Sequence, residues 1–288
     1  MADWTIKSLL SWTEGYFTDH DIDSPRLTAE ILLSETLELR RLDLYLQHDR
    51  PLEKQELAVF KTQIKRRVNK EPVAYITGQK GFFNDRFSVT KGVLIPRPDT
   101  EVLVETAMEV LNGLDLPERK ARVIELGVGS GAVIVSIANA CPDHLYFGSD
   151  LSDVALSTAA LNAKELAQTP IAFFKGSWLD AVSPREQFDL ILSNPPYIPS
   201  ADIETLAPEI KDYEPRMALD GGEDGLDSIR IILAQAGGCL HPGGQLIFEM
   251  GYDQKPGVAR LAERFSWVSD LGFVKDLAGH NRLAVFKK

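Results

Sequence analysis

An α/β architecture, with a mostly parallel sheet covered on both faces by helices, follows from three observations. Beyond Pro98 short apolar runs rich in β-branched and aromatic residues alternate with stretches of helical periodicity. Residues 3–70 carry helical spacing throughout. Between the two, residues 75–95 alternate in the manner of strands, with turn signals at Gly78, Asn84-Asp85 and Lys91-Gly92. The expected organisation is a helical domain at 1–72, a β-hairpin linker at 73–98 and an α/β domain at 99–288.

The helical segment is justified by three apolar stripes: Trp4-Ile6-Leu9-Leu10-Trp12-Phe17, Leu27-Ile31-Leu32-Leu37 and Leu57-Phe60-Ile64-Val68. Ser24-Pro25 supplies an N-cap and a first-turn proline for the second. Lys61, Lys65, Arg66, Arg67 and Lys70 form a basic run, read as a solvated helix face near a C-terminus. Glu71-Pro72 interrupts the pattern. The α/β part then reads as helix 99–112, strand 121–126, helix 131–140, strand 145–150, helix 153–165, and strands 171–174 and 188–193. It continues with helix 225–238, strand 244–249, helix 255–265 and strands 267–275 and 281–287. The last two strands lack an intervening helix and are expected to pair antiparallel.

Chemistry concentrates where these strands end, as it does in open α/β sheets. Asn194-Pro195-Pro196-Tyr197 follows the apolar run 188–193. Two prolines stop the strand and hold the backbone extended, so the Pro195 carbonyl stands beside the Asn194 amide. Together they offer two acceptors for the two hydrogens of a planar amide or amino group, and Tyr197 offers a flat face. A second motif, Glu125-Leu126-Gly127-Val128-Gly129-Ser130-Gly131, joins a strand to a helix. Its glycines permit tight turning and close approach of a ligand. The spacing is Gly-x-Gly-x-Gly rather than the Gly-x-Gly-x-x-Gly of dinucleotide folds. Glu125, just before the loop, repels a pyrophosphate and suits an ammonium. Asp150 closes the next strand, about twenty residues on, at the distance where an acidic side chain grips a ribose diol. Ammonium plus ribose without phosphate describes S-adenosylmethionine.

The 288 residues carry a formal net charge of −11 and 44% hydrophobic content, which argues for a globular chain and against a dominant phosphate-binding surface. Asp3, Lys7 and Glu14 break up the N-terminal pattern, so a signal peptide is not expected, and no stretch approaches transmembrane length. Cys141 and Cys239 read as reduced core thiols of a cytoplasmic protein. With five scattered histidines they provide no metal-ligand spacing.

The longer motifs add a family. Glu71-Pro-Val-Ala-Tyr-Ile-Thr-Gly78, Leu94-Ile-Pro-Arg-Pro-Asp-Thr-Glu101, Asn194-Pro-Pro-Tyr-Ile-Pro199 and Tyr213-Glu-Pro-Arg-Met-Ala-Leu-Asp-Gly-Gly-Glu-Asp-Gly-Leu226 occur in that order. With the glycine loop, the chain resembles the release-factor glutamine methyltransferases, a branch of the class I S-adenosylmethionine-dependent methyltransferases with a Rossmann-like, seven-stranded sheet. The resemblance spans nearly the full length. It implies N5 methylation of the glutamine in a Gly-Gly-Gln loop of peptide chain release factors. It also implies that Gly127, Val128, Gly129, Ser130 and Gly131 cradle the methionine part of the cofactor, Asp150 holds the ribose, Trp178 lines the adenine pocket and Asn194 to Tyr197 hold the glutamine. Two positions depart from the family pattern: Glu125 stands for a frequent Asp, and Ser177 for a frequent Asp beside the adenine. The alternatives are a glutamine methyltransferase of a ribosomal protein, an adenine N6 enzyme acting on nucleic acid, and a non-catalytic cofactor-binding protein. The acidic balance weighs against a nucleic-acid substrate, and the intact Asn194-Pro-Pro-Tyr197 against the last.

Overall fold

The computed structural model describes residues 4–116, 119–183 and 186–288; Asp3, at the start of the expected helical segment, lies outside them. The chain opens with helices α1 (Ile6–Thr18), α2 (Pro25–Leu37), α3 (Arg41–Leu46), α4 (Lys54–Val68) and α5 (Val73–Thr77). A hairpin of β1 (Gln79–Phe82) and β2 (Asp85–Ser88) leads to α6 (Glu101–Asn112). Then come β3 (Arg122–Leu126), α7 (Ala132–Ala140), β4 (Leu145–Asp150), α8 (Asp153–Leu166), β5 (Ile171–Lys175) and β6 (Phe188–Ser193). The remainder is α9 (Pro208–Lys211), α10 (Asp227–Cys239), β7 (Leu240–Glu249), α11 (Lys255–Ala262), β8 (Asp270–Lys275) and β9 (Asn281–Lys287).

Two units emerge. The first comprises Met1–Gln79 with Ala207–Tyr213, and the second Lys80–Leu206 with Glu214–Lys288. In the first, α1, α2 and α4 turn Ile6, Phe17, Leu32, Leu33 and Phe60 into a common core. The basic run on α4 departs from its expected solvated role. Lys61 and Lys65 are exposed, but Arg67 is 2% exposed and paired with Glu209. Arg66 pairs with Glu71 at 2.8 Å, and Lys70 Nζ donates to the carbonyls of His20 and Asp21. Helical periodicity explains it, because position 67 falls on the same stripe as Phe60 and Ile64. Ser24 precedes α2 as expected but sits in the left-handed region, with φ 48°, and its side chain makes no cap bond. Pro25 alone fits the expected start.

The segment expected to alternate as strands from residue 75 begins instead with α5, because Pro72 sits at its N-cap and cannot continue a ladder. The hairpin follows, its Phe82 and Phe87 buried in the core of the second unit. That unit holds a seven-stranded sheet of order β5-β4-β3-β6-β7-β9-β8. Strands β3 to β7 pair in parallel, while β9 is antiparallel to both β7 and β8. The parallel register places Leu126 beside Ser149 and Ser193, and Ser193 beside Phe248, so the ends of β3, β4, β6 and β7 lie side by side. All six residues of β6 are buried, as a central strand covered on both faces requires. Asp189 within it is tolerated because Arg119 bonds both carboxylate oxygens and the Arg122 amide donates to one of them. Strand β8 starts at Asp270 rather than 267 because Trp267 is used for packing: its ring lies against Gly237 of α10, and its Nε1 donates to the Leu233 carbonyl at 3.1 Å.

Candidate active site

A cavity of about 400 Å³ lies where β3, β4, β5 and β6 end. Its wall includes Glu125, Gly127, Val128, Gly129, Ser130, Asp150, Ser177, Trp178, Asn194 and Pro196. The loop after β3 is pinned by backbone bonds: the amides of Gly127 and Val128 donate to the Ser149 carbonyl at 2.8 and 3.1 Å. Gly129 has φ 54°, and a Cβ built there would meet nothing within 4 Å, so the loop borders open space rather than protein. Gly131 does not line the wall. It has φ 78° at the N-cap of α7, and a Cβ there would come 3.0 Å from Ala159 of α8, so this glycine allows two helices to approach.

Asp150 closes β4. Its Oδ2 accepts the Gly129 amide at 3.0 Å and its Oδ1 the Ser152 amide at 2.8 Å. Each oxygen keeps a second lone pair, which is what gripping a diol requires. Glu125 is 2% exposed, and its Oε2 accepts the Ile134 amide at 3.0 Å. Burial pushes its carboxyl well above the ordinary range; that amide bond works in the opposite direction, and the nearby Asp150 charge reinforces the rise. A cation in the cavity would supply the missing counter-charge. Trp178 reaches a left-handed backbone conformation, φ 53°, and its ring lies 3.8 Å from a Cβ built on Gly127. The cradle, the acid pair and the aromatic wall fit a ligand with an ammonium, a diol and a flat ring system.

Opposite them stands Asn194, one residue past β6. Its Nδ2 donates to Thr100 Oγ1 at 3.2 Å, and Thr100 Oγ1 donates to Glu249 Oε2 at 2.7 Å. Tyr197 donates its phenolic hydrogen to Glu249 Oε1 at 2.9 Å. Pro195 and Tyr197 lie off the cavity wall, and burial raises the Tyr197 phenol above its ordinary range, with the Glu249 charge adding to the rise. Glu249 ends β7, 1% exposed; burial raises its carboxyl, while the hydroxyls of Thr100 and Tyr197 oppose the shift. The loop beyond is clamped: Ile198 N donates to Leu219 O at 3.0 Å, Gly221 N returns a bond to Ile198 O at 2.8 Å, and Gln254 Nε2 donates to Tyr197 O at 2.9 Å. Buried Glu214 accepts the Ile95 amide at 3.1 Å and the Arg97 guanidinium. Thr100, Glu249, Gln254 and Glu214 escape the sequence reading. Thr100 lies inside a quoted motif, and Glu249 is a lone acid ending an apolar strand, the same signal that singles out Glu125.

Among the described residues no helix is long and apolar enough to cross a membrane, and no group of three His, Cys, Asp or Glu side chains is placed to hold a metal ion.

Comparison with known proteins agrees along the whole chain. Residues 8–78 match the PrmC N-terminal domain family and residues 100–210 the methyltransferase small domain family. The release factor glutamine methyltransferase of Geobacter sulfurreducens is 42% identical over 261 residues, covering 91% of this chain and 89% of its own. That of Rhodopirellula baltica is 35% identical over 287 residues, covering 99% and 97%. Among solved structures, a methyltransferase from Pyrococcus furiosus superposes with a TM-score of 0.52 at 17% identity, over 79% of this chain and 98% of that one. A 16S rRNA N2 G1207 methyltransferase from Thermus thermophilus, in complex with AdoMet and guanosine, gives 0.52 at 16%, over 73% and 49%. These two likenesses concern the fold.

Proposed function

The chain belongs to the release factor glutamine methyltransferase family, and from that premise we propose that Asn194, on the cavity wall, grips the side-chain nitrogen of the glutamine in a release factor's Gly-Gly-Gln loop. The protein is an enzyme that uses S-adenosylmethionine to methylate a release factor glutamine. In our reading Glu125 faces the cofactor's ammonium, Gly127 to Ser130 border its methionine part, Asp150 holds the ribose hydroxyls and Trp178 flanks the adenine. Gly131 supports that loop from the helix side, and Pro196 and Tyr197 hold the strand end in place. The enzyme acts in the cytoplasm, on a protein rather than a nucleic acid, and the transfer as proposed calls for no metal.

When bound, the cofactor supplies an electrophilic methyl group. The protein's task is the nucleophile, an amide nitrogen whose lone pair is delocalised into its carbonyl. Holding that nitrogen in line contributes on the order of 7–11 kcal/mol at the upper limit of what proximity supplies. In this reading the Asn194 oxygen stabilises the positive charge that grows on nitrogen, an oxyanion hole with its sign reversed. The N-methylated, N-protonated amide is a strong acid, so its proton leaves to water without a dedicated base.

The orientation of Asn194 carries the reading: its NH2 end is bound by Thr100, which leaves its oxygen as an acceptor at the cavity. The test supplies labelled cofactor with a release factor and with the same factor carrying Asn in place of the loop Gln. Label should enter only the first, because Asn is one methylene too short. Equal labelling of both, or of neither, contradicts the proposal.

A further inference from the structure

We propose that Thr100 and Glu249 are positioning residues that decide which end of the Asn194 amide faces the cavity; the inference rests on the amide-gripping role given to Asn194 above. A side-chain amide has one end that donates and one that accepts. Only the oxygen end holds an N–H, so a reversed Asn194 would turn its own hydrogens toward those of the substrate. Nothing in the shape of the side chain prevents the reversal, since the two ends are nearly the same size. A chain of hydrogen bonds with a fixed direction does.

Glu249 sets that direction. As a carboxylate it accepts only, so the hydroxyls of Thr100 and Tyr197 must both donate to it, at 2.7 and 2.9 Å. Thr100 has a single proton. With that proton committed to Glu249, its oxygen is left as an acceptor, and it accepts Asn194 Nδ2 at 3.2 Å. A reversed Asn194 would set two oxygens against each other with no hydrogen between them. Thr100 is 4% and Glu249 1% exposed, so bulk water is not at hand to relieve such a contact. The order along the chain is therefore carboxylate, hydroxyl, amide, and the carboxylate's charge state is transmitted to the cavity.

The groups facing Glu249 bear on that charge. Thr100 precedes α6, Tyr197 follows β6, Arg282 on β9 brings a positive charge, and Asp99 brings a negative one. Arg282 is itself shared by Asp276 at 3.0 Å and Asp99 at 3.1 Å. Burial raises the Glu249 carboxyl, against the Thr100 and Tyr197 bonds and the Arg282 charge. When pH falls through that raised value, the protonated carboxyl gains a hydrogen to give to Thr100, the Thr100 proton turns toward Asn194, and the reversed amide becomes the favoured one. Turnover should fall with it.

The experiment uses the full chain, S-adenosylmethionine and a release factor, with kcat and the cofactor KM followed across pH. Thr100→Val, which keeps the shape and removes the hydroxyl, should lower kcat on the order of tenfold with the cofactor KM unchanged, and Thr100→Ser should restore most of it. The wild-type kcat should show an acid limb that Glu249→Gln lacks. A valine variant at the wild-type rate, a serine variant as slow as the valine one, or an acid limb persisting in Glu249→Gln overturns the relay. Asn194→Ala is run beside them: an inactive alanine variant with an unimpaired valine variant sinks the relay alone, whereas an active alanine variant sinks the amide-gripping reading itself. Should the valine variant fail to bind cofactor because it does not fold, the acid limb in Glu249→Gln decides.

Discussion

Asn194, Asp150 and Glu125 each have a separable signature. Asn194→Ala should keep cofactor affinity and lose at least about two orders of magnitude in kcat, by analogy with deleting one group from a preorganised electrostatic site. Asn194→Asp should be slow as well, because one carboxylate oxygen would face the Thr100 oxygen whose proton is committed to Glu249; steady-state kinetics at saturating cofactor decide. Asp150→Ala should instead weaken S-adenosylhomocysteine binding by about 1.5–3 kcal/mol per charge-assisted bond lost, read by calorimetry. For Glu125 the sign follows from its burial. Burial raises its carboxyl in the free protein, and an ammonium bound as proposed would stabilise the ionised form, so binding should release a proton in the pH range just below the raised value. Titrations in buffers of different ionisation enthalpy should show that release in the wild type and none in Glu125→Gln. All three residues are legible in the sequence because each is a polar side chain ending an apolar strand beside a recognisable turn. Glu249 ends β7 in the same way, but a single glycine, Gly251, follows it where Gly127, Gly129 and Gly131 follow Glu125, and its partner Thr100 lies 149 residues away, so nothing local announces the pair.

Helices α2 and α4 show how far periodicity reaches. It predicts which faces are buried, yet treats any charged residue as solvated. Glu30 of α2 is 1% exposed and is bound by Arg26 at 2.7 Å, Arg41 at 2.8 Å and the Tyr45 hydroxyl. Burial opposes its charge, but those three donors outweigh it and hold the carboxyl below its ordinary range. Its contribution to stability is therefore full above the unfolded value of about 4.3 and is lost as pH falls through the lowered folded one. Thermal melts between neutral and acid pH should lose less in Glu30→Gln than in the wild type over that window. On α4, removing Glu209 strands the buried Arg67 charge and should cost about 3 kcal/mol or more, seen as a lower melting temperature, while Lys61→Ala on the exposed side should cost almost nothing. Position 67 was readable as core from its spacing. Its partner was not, because Glu209 is 142 residues distant, and no helical rule connects the two.

Across the whole molecule the cavity and the substrate requirement separate. Every residue on the cavity wall lies in the unit formed by Lys80–Leu206 and Glu214–Lys288. A chain beginning at Lys80 should accordingly keep S-adenosylmethionine binding by calorimetry. It should not methylate an intact release factor, since a pocket that recognises one planar amide cannot choose among all glutamines, and specificity needs a second surface. Equal methylation by the short and full chains would remove the helical unit from recognition. The parallel sheet and the antiparallel pairing of the last two strands were legible from the βα rhythm and its break, because burial on both faces leaves a continuous apolar signature, whereas the order of the strands was not read from the sequence. The clustering of Ala207–Tyr213 with the helices was not, since a four-residue helix in a long loop carries no period to read. The most direct measurement is tandem mass spectrometry of a release factor incubated with S-adenosylmethionine and either the wild-type chain or Asn194→Ala. One added methyl is expected, on the side chain of the Gly-Gly-Gln glutamine, with the wild type and essentially none with the variant. A methyl on any other residue, or equal modification by both proteins, would contradict the proposal.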